Sequence, residues 1–150
     1  MTIGEFCNRE IIISNREDSV LEAAKLMRKY HVGDVIVVEQ RGDERMPVGI
    51  LTDRDIVVEL VAREVDATDV TVGEAMSNDL LTVNENEQLT ELVQQMQGKA
   101  VRRVPVVDAN GALVGIVTAD DLIDLIAEQL TSLVGMVQRE QHREQITRVV

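Results

Sequence analysis

Apolar positions along the chain follow two rhythms, a short continuous run and a helical spacing, and the pair of rhythms occurs twice. The run "EIIIS" (10–14) precedes "SVLEAAKLMRKYHV" (19–32), where Val20, Ala23, Ala24, Met27 and Tyr30 recur at helical spacing. A second run, "VIVVE" (35–39), passes through the polar stretch "QRGDERMP" (40–47) into "PVGIL" (47–51), which predicts two strands joined by a hairpin loop. "DRDIVVELVARE" (53–64) then predicts a helix. The order returns as "DLLTV" (79–83), "QLTELVQQMQGKAV" (88–101), "VPVVD" (104–108), "LVGIV" (113–117) and "ADDLIDLIAEQL" (119–130).

The recurrence holds residue by residue. Thr2 matches Thr71, Gly4 matches Gly73, Asn15 matches Asn84 and Met27 matches Met96, an offset of 71 − 2 = 69. Past the hairpin the offset falls to 66, pairing Gly49 with Gly115, Thr52 with Thr118 and Asp55 with Asp121. Each copy is a β-α-β-β-α unit of the α/β (α+β) class. A unit of about 60 residues is marginal alone, so the two are expected to share a core as a pseudo-twofold module. The expected divisions are residues 1–66, residues 67–130 and a C-terminal helical tail, 131–150. Over residues 128–150, Leu130, Leu133, Val134 and Val137 form a stripe. Either the stripe packs back on the core or it pairs with a helix of a second copy. The link at 65–76 has no Pro or Ser run and predicts no flexible tether.

The repeated phrase, "GILTDRDIV" (49–57) and "GIVTADDLI" (115–123), has two readings. In one, Thr52 and Thr118 cap helices, with Asp55 and Asp121 completing capping boxes. In the other, the helix start at a strand end receives an anion on free backbone N–H groups. Gly49 and Gly115 would then allow close approach, and the aspartate would accept a ribose. One residue can do both.

Composition narrows the chemistry. Fifteen Lys and Arg against 27 Asp and Glu give a formal charge of −12. That argues against a broad basic face for nucleic acid. Phe6 and Tyr30 are the only aromatics, so a flat ligand would lie between aliphatic side chains. The single cysteine, Cys7, excludes an internal disulfide and reads as a small apolar residue near an N-terminal turn. His31 and His142 stand far apart without companion ligands, so no metal site is expected, and His31 reads as a helix C-terminal residue. No nucleophile–base order and no phosphate-loop motif occurs, so no catalysis is expected. Without a secretion signal or a membrane-length apolar run, a cytoplasmic location away from membranes is expected.

Two copies of the pattern "h-P-V-V-D-x-x-G-x-h-V-G-I-h-T-x-x-D-h", most fully in "VRRVPVVDANGALVGIVTADDLIDLI" (101–126), resemble a tandem pair of cystathionine-β-synthase (CBS) domains, a Bateman module. The resemblance spans about residues 2–130. It implies a regulatory module with two clefts for adenosine-containing ligands such as AMP, ADP, ATP or S-adenosylmethionine, acting as a homodimer on an unknown protein target. No cofactor is required. Carried over, one cleft would use Thr52, Arg54 and Asp55, with Ile12 and Ile13 near the base. The other would use Thr118 and Asp121, with Leu81, Thr82, Val104 and Pro105 near the base. Asp120 stands where the first copy has Arg54 and disfavours phosphate. Arg102 and Arg103 replace Gly33 and Asp34 and could join Arg54 on one anionic tail. The competing reading is a dimerisation scaffold with empty clefts, in which the TxxD phrases serve only as caps.

Overall fold

In the computed structural model, which describes residues 1–148, the chain divides into two units, Met1–Val117 and Thr118–Val150. The first unit begins with the one-turn helix α1 (Ile3–Phe6), followed by β1 (Ile13–Asn15), α2 (Val20–Tyr30), β2 (Asp34–Arg41) and β3 (Glu44–Thr52). A short helix α3 (Asp53–Ile56) runs straight into a π-helical turn, Val57–Val61. The second copy supplies α4 (Val72–Ala75), β4 (Val83–Asn84), α5 (Leu89–Lys99), β5 (Arg103–Val107) and β6 (Leu113–Thr118). Among the described residues the strands form two three-stranded sheets, ordered β1-β2-β3 and β4-β5-β6. β1 is parallel to β2, β4 is parallel to β5, and β2 is antiparallel to β3.

Local chemistry explains the boundaries. Ser19 starts α2 as a full capping box with Glu22, and His31 ends it in the left-handed region at φ 53. Ala100 ends α5 in the same way at φ 54. The expected loop at 40–47 is instead almost all strand. β2 and β3 continue to Arg41 and Glu44 and turn on Gly42 and Asp43, with Gly42 at φ 62. A tight hairpin turn needs positive φ, which glycine supplies. The additional residues of the first copy lengthen the ladder and make a bulge at Val37/Val38.

The feature not foreseen is an exchange between copies. The leading segment of the first copy bridges to the second, Thr2 to Gln88 and Asn8 to Ile116. The leading segment of the second copy bridges to the first by the equivalent pairs, Thr71 to Ser19 and Ser77 to Ile50. Gly4 N–H donates to the Glu85 carbonyl at 2.8 Å, and Gly73 N–H donates to the Arg16 carbonyl at 2.9 Å. The core follows the exchange. Val72 and Met76 are buried with Val20, Ala23, Met27, Val35, Val37 and Leu51 of the first copy. A second cluster, Ile36, Val38 and Ile116 with Ile11, Ile13, Ile50 and Leu113, joins residues of both sheets.

The second unit is one helix, α6 (Ala119–Arg148), continuous through the predicted closing helix and tail. Leu130, Leu133, Val134 and Val137 of the expected stripe are exposed. Val149 and Val150 of that tail lie outside the described residues.

Candidate functional site

β3 delivers Thr52 to the end of its sheet, opposite Asp34 in the antiparallel register. There Thr52 and Asp55 form a reciprocal cap. The Asp55 N–H donates to Thr52 Oγ1 at 3.1 Å, and the Thr52 N–H donates to Asp55 Oδ2 at 3.0 Å. The corresponding turn in the second unit repeats the first of these bonds, Asp121 N–H to Thr118 Oγ1 at 3.1 Å. The capping reading of TxxD is therefore physically present. A carboxylate has about four acceptor sites, so capping leaves Asp55 able to accept further donors.

The expectation of free amides for an anion is not met at the first turn. Asp53 N–H donates to the Gly33 carbonyl at 2.9 Å, and Arg54 N–H donates to Asp53 Oδ1 at 2.8 Å. With Asp55 N–H on Thr52, the three amides of this turn are all engaged. Arg54 itself is exposed. The glycine reading also changes. A Cβ on Gly49 would lie 2.5 Å from Met76 Sδ and 2.8 Å from the Ser77 carbonyl oxygen. One on Gly115 would lie 2.5 Å from Cys7 Sγ and 3.0 Å from the Asn8 carbonyl oxygen. The close approach these glycines permit is that of the exchanged leading segments, not that of a ligand.

Arg103 enters the first turn from the other copy. Its guanidinium forms an ion pair with Asp34. A Cβ on Gly33 would lie 3.5 Å from Arg103 Nη2 and 3.2 Å from Asp53 Oδ2, which places both groups beside that glycine. Burial pushes the Asp34 carboxyl above the usual aspartate range; Arg103 opposes the shift and Asp53 adds to it. Asp34 and Arg103 occupy the same position in the two copies (103 − 34 = 69). Equivalent residues of opposite charge thus meet.

The other predicted residues are distributed as follows. Ile12 packs with the helix-side core and Ile13 with the inter-sheet cluster. Both lie on the β1 edge of β2, whereas Thr52 lies on the β3 edge. The residues beside the Thr52–Asp55 turn come instead from the exchanged segment. Asp55 lines a surface cleft of about 520 Å³ with Arg63, Met76 and Ser77. Leu81 and Thr82 continue that segment, half-buried and exposed respectively. Val104 and Pro105 are buried in β5, and Arg102, just before it, is exposed. Thr118, Asp120 and Asp121 open the second unit. Asp34, Asp53, Met76 and Ser77, which the sequence reading did not count among its candidates, also stand beside this turn. The signal present for Asp34 was its charge reversal against Arg103.

Elsewhere the chemistry is quiet. Cys7 is half-buried, and its thiol is pushed up chiefly by that burial. Among the described residues no three His, Cys, Asp or Glu side chains are grouped to hold a metal ion. No described helix is long and apolar enough to cross a membrane.

Comparison with known proteins identifies the pattern. The CBS domain model matches the chain twice, over residues 3–62 and 72–128. The CBS domain-containing protein YhcV of Bacillus subtilis is 41% identical over 121 residues, 81% of this chain and 82% of that protein. An uncharacterised protein of Methanopyrus kandleri, MK0525, is 34% identical over 125 residues; the match covers 83% of this chain but only 62% of that protein. Among solved structures, the CBS domain pair of protein MJ0100, in complex with 5′-methylthioadenosine and S-adenosyl-L-methionine, superposes with a TM-score of 0.74 at 27% identity, covering 86% of this chain and 98% of that one. The chain belongs to the CBS domain family and carries two copies of the domain in tandem.

Proposed function

We propose that this protein is a regulatory module that binds an adenosine-containing ligand at the Thr52–Asp55 turn and passes the change to a partner protein, without turnover. The observation that carries the reading is convergence. A half-buried aspartate with spare acceptor capacity, a threonine hydroxyl and a guanidinium from the other copy meet at one strand end. Asp55 would accept the ribose hydroxyls. The base would lie against Leu81 and Thr82, which continue the segment held to Ile50 by Ser77. In the first copy Ile36 N–H donates to the Ile12 carbonyl at 3.0 Å. Pro105 stands at the matching position and has no N–H, so the Leu81 carbonyl lacks that strand donor. It can accept from the exocyclic amine of adenine, where guanine offers only an acceptor. The structure of MJ0100 with two adenosyl compounds supports the same class of ligand.

The competing reading, a scaffold whose TxxD turns are caps alone, draws on the reciprocal Thr52–Asp55 cap. Calorimetry with adenosine, AMP, ATP, S-adenosylmethionine and GTP separates the two. We expect an adenosyl compound to bind and GTP not to bind. Asp55→Asn keeps an oxygen for the Thr52 N–H, so ligand affinity should fall about ten-fold or more with the melting temperature nearly unchanged. Absence of binding at millimolar ligand would favour the scaffold.

Self-association is part of the proposal. Val57, Val58 and Val61 are exposed on the helical turn after Asp55, and Ile123, Ile126, Leu130, Leu133 and Val137 are exposed along α6. Exposed apolar patches of this kind mark interaction surfaces. A second copy of this chain is the occupant that needs no other component.

A further inference from the structure

We propose that Asp34 is a specificity-determining residue: by holding Arg103 in an ion pair at the Thr52–Asp55 turn, it makes this site select adenosyl ligands with an uncharged or cationic 5′ substituent over nucleoside polyphosphates. The inference rests on the adenosyl reading above and narrows its ligand class.

Three observations combine. First, Arg103, the guanidinium that reaches this turn from the other copy, is already matched by Asp34. Second, Asp53 Oδ2 lies on the same small space over Gly33 as Arg103 Nη2. A phosphate drawn to Arg103 would therefore meet two carboxylates at close range. Third, the amides of Asp53, Arg54 and Asp55 are engaged by Gly33, Asp53 and Thr52. They cannot receive a phosphate oxygen unless those bonds break. An anion entering here must displace Asp34 from Arg103 and leave a half-buried carboxylate without its counter-ion, which is costly. A thioether asks for neither change, and a sulfonium is attracted by Asp34 and Asp53. The hairpin geometry fixes Asp34 in place, because it is paired with Thr52 across the β2–β3 ladder. The residue that discriminates is thus one strand away from the residues that hold the ribose.

The test is a calorimetric panel of adenosine, 5′-methylthioadenosine, S-adenosylmethionine, AMP and ATP on the full chain. The proteins compared are wild type, Asp34→Asn and the double variant Asp34→Asn/Arg103→Gln. Wild type should bind methylthioadenosine or S-adenosylmethionine at least about ten-fold more tightly than ATP. Asp34→Asn releases Arg103 and should raise ATP affinity about ten-fold, with adenosine affinity within about two-fold of wild type. The double variant should lose that gain. ATP binding more tightly than methylthioadenosine in wild type would overturn the proposal, and this comparison needs no variant to fold. So would an unchanged ratio of ATP to adenosine affinity in a folded Asp34→Asn. If adenosine and its thioether fail to bind any of the proteins, the adenosyl reading falls, and this proposal with it. If adenosine binds but the ratios do not move, only the role of Asp34 falls.

Discussion

At Gly49 and Gly115 a missing side chain is what lets another stretch of the same chain pass. Both sites leave less than 3.0 Å between a new Cβ and the sulfur of Met76 or Cys7. Gly115→Ala should therefore cost about 1–3 kcal/mol, as overpacking does. Chemical denaturation would measure it, and Cys7→Ala in the same chain should restore part of the loss. At Asp34 the expected effect is on pH. Its carboxyl is raised in the folded state, mainly by burial. The native protein then holds a proton that the unfolded chain has already released, so stability falls as pH rises above the ordinary aspartate value of about 3.9. Asp34→Asn should remove that fall. The difference in unfolding free energy between wild type and variant, followed upward from pH 4, gives the measurement. These residues also mark the limit of the sequence reading. The TxxD cap was legible because its partners are three residues apart. Asp34 meeting Arg103 was not, because nothing in the order of residues says which copy a side chain faces.

Among the elements, the helices were the most legible and their continuations the least. Ser19, Thr52 and Thr118 announce helix starts through local chemistry. The π-helical turn at 57–61 carries no such announcement. Its Ala62 N–H reaches back five residues to the Val57 carbonyl at 2.9 Å, an arrangement that buries Leu60 and leaves Val57, Val58 and Val61 exposed. The hairpin at Gly42 was read as a loop because polar residues fill 39–45, yet polarity there reflects strands that extend beyond the core. α6 presents Ile123, Ile126, Leu130, Leu133 and Val137 at alternating spacings of three and four, the repeat of a two-helix seam. Its first part carries Asp120, Asp121, Asp124 and Glu128, and its later part mixes Arg139 and Arg143 with Glu140 and Glu144. Leu130→Glu with Leu133→Glu should convert the proposed dimer to monomer. Light scattering on the purified protein checks this, and a monomeric wild type would remove the basis for it.

For the whole molecule, the repeat and its doubled α+β unit could be read from offsets of 69 and 66 alone. The exchange of leading segments could not. Thr2 matches Thr71 equally well whether each packs on its own copy or on the other. The choice is made by cores, since Val72 and Met76 complete the cluster built by Val20, Val35 and Leu51. A fragment of residues 10–78 therefore contains the whole cluster that Val72 and Met76 complete on the helix side of the first sheet, whereas residues 1–66 lack both. Circular dichroism and thermal melting should find the former cooperatively folded and the latter not. Equal behaviour of the two would contradict the energetic weight given to the exchange.

The same exchange sets a timetable for synthesis. Residues 2–8 leave the ribosome before their hydrogen-bonding partners, Glu85, Glu87 and Ile116, which are among the later residues of the first unit to appear. The opening stretch must stay unpaired while about a hundred residues are added, at roughly 5–20 per second. The first copy closes as soon as residue 77 is clear, well before residues 2–8 find their place. Residues 2–8 are made before the rest of the first unit's elements and are fastened after them.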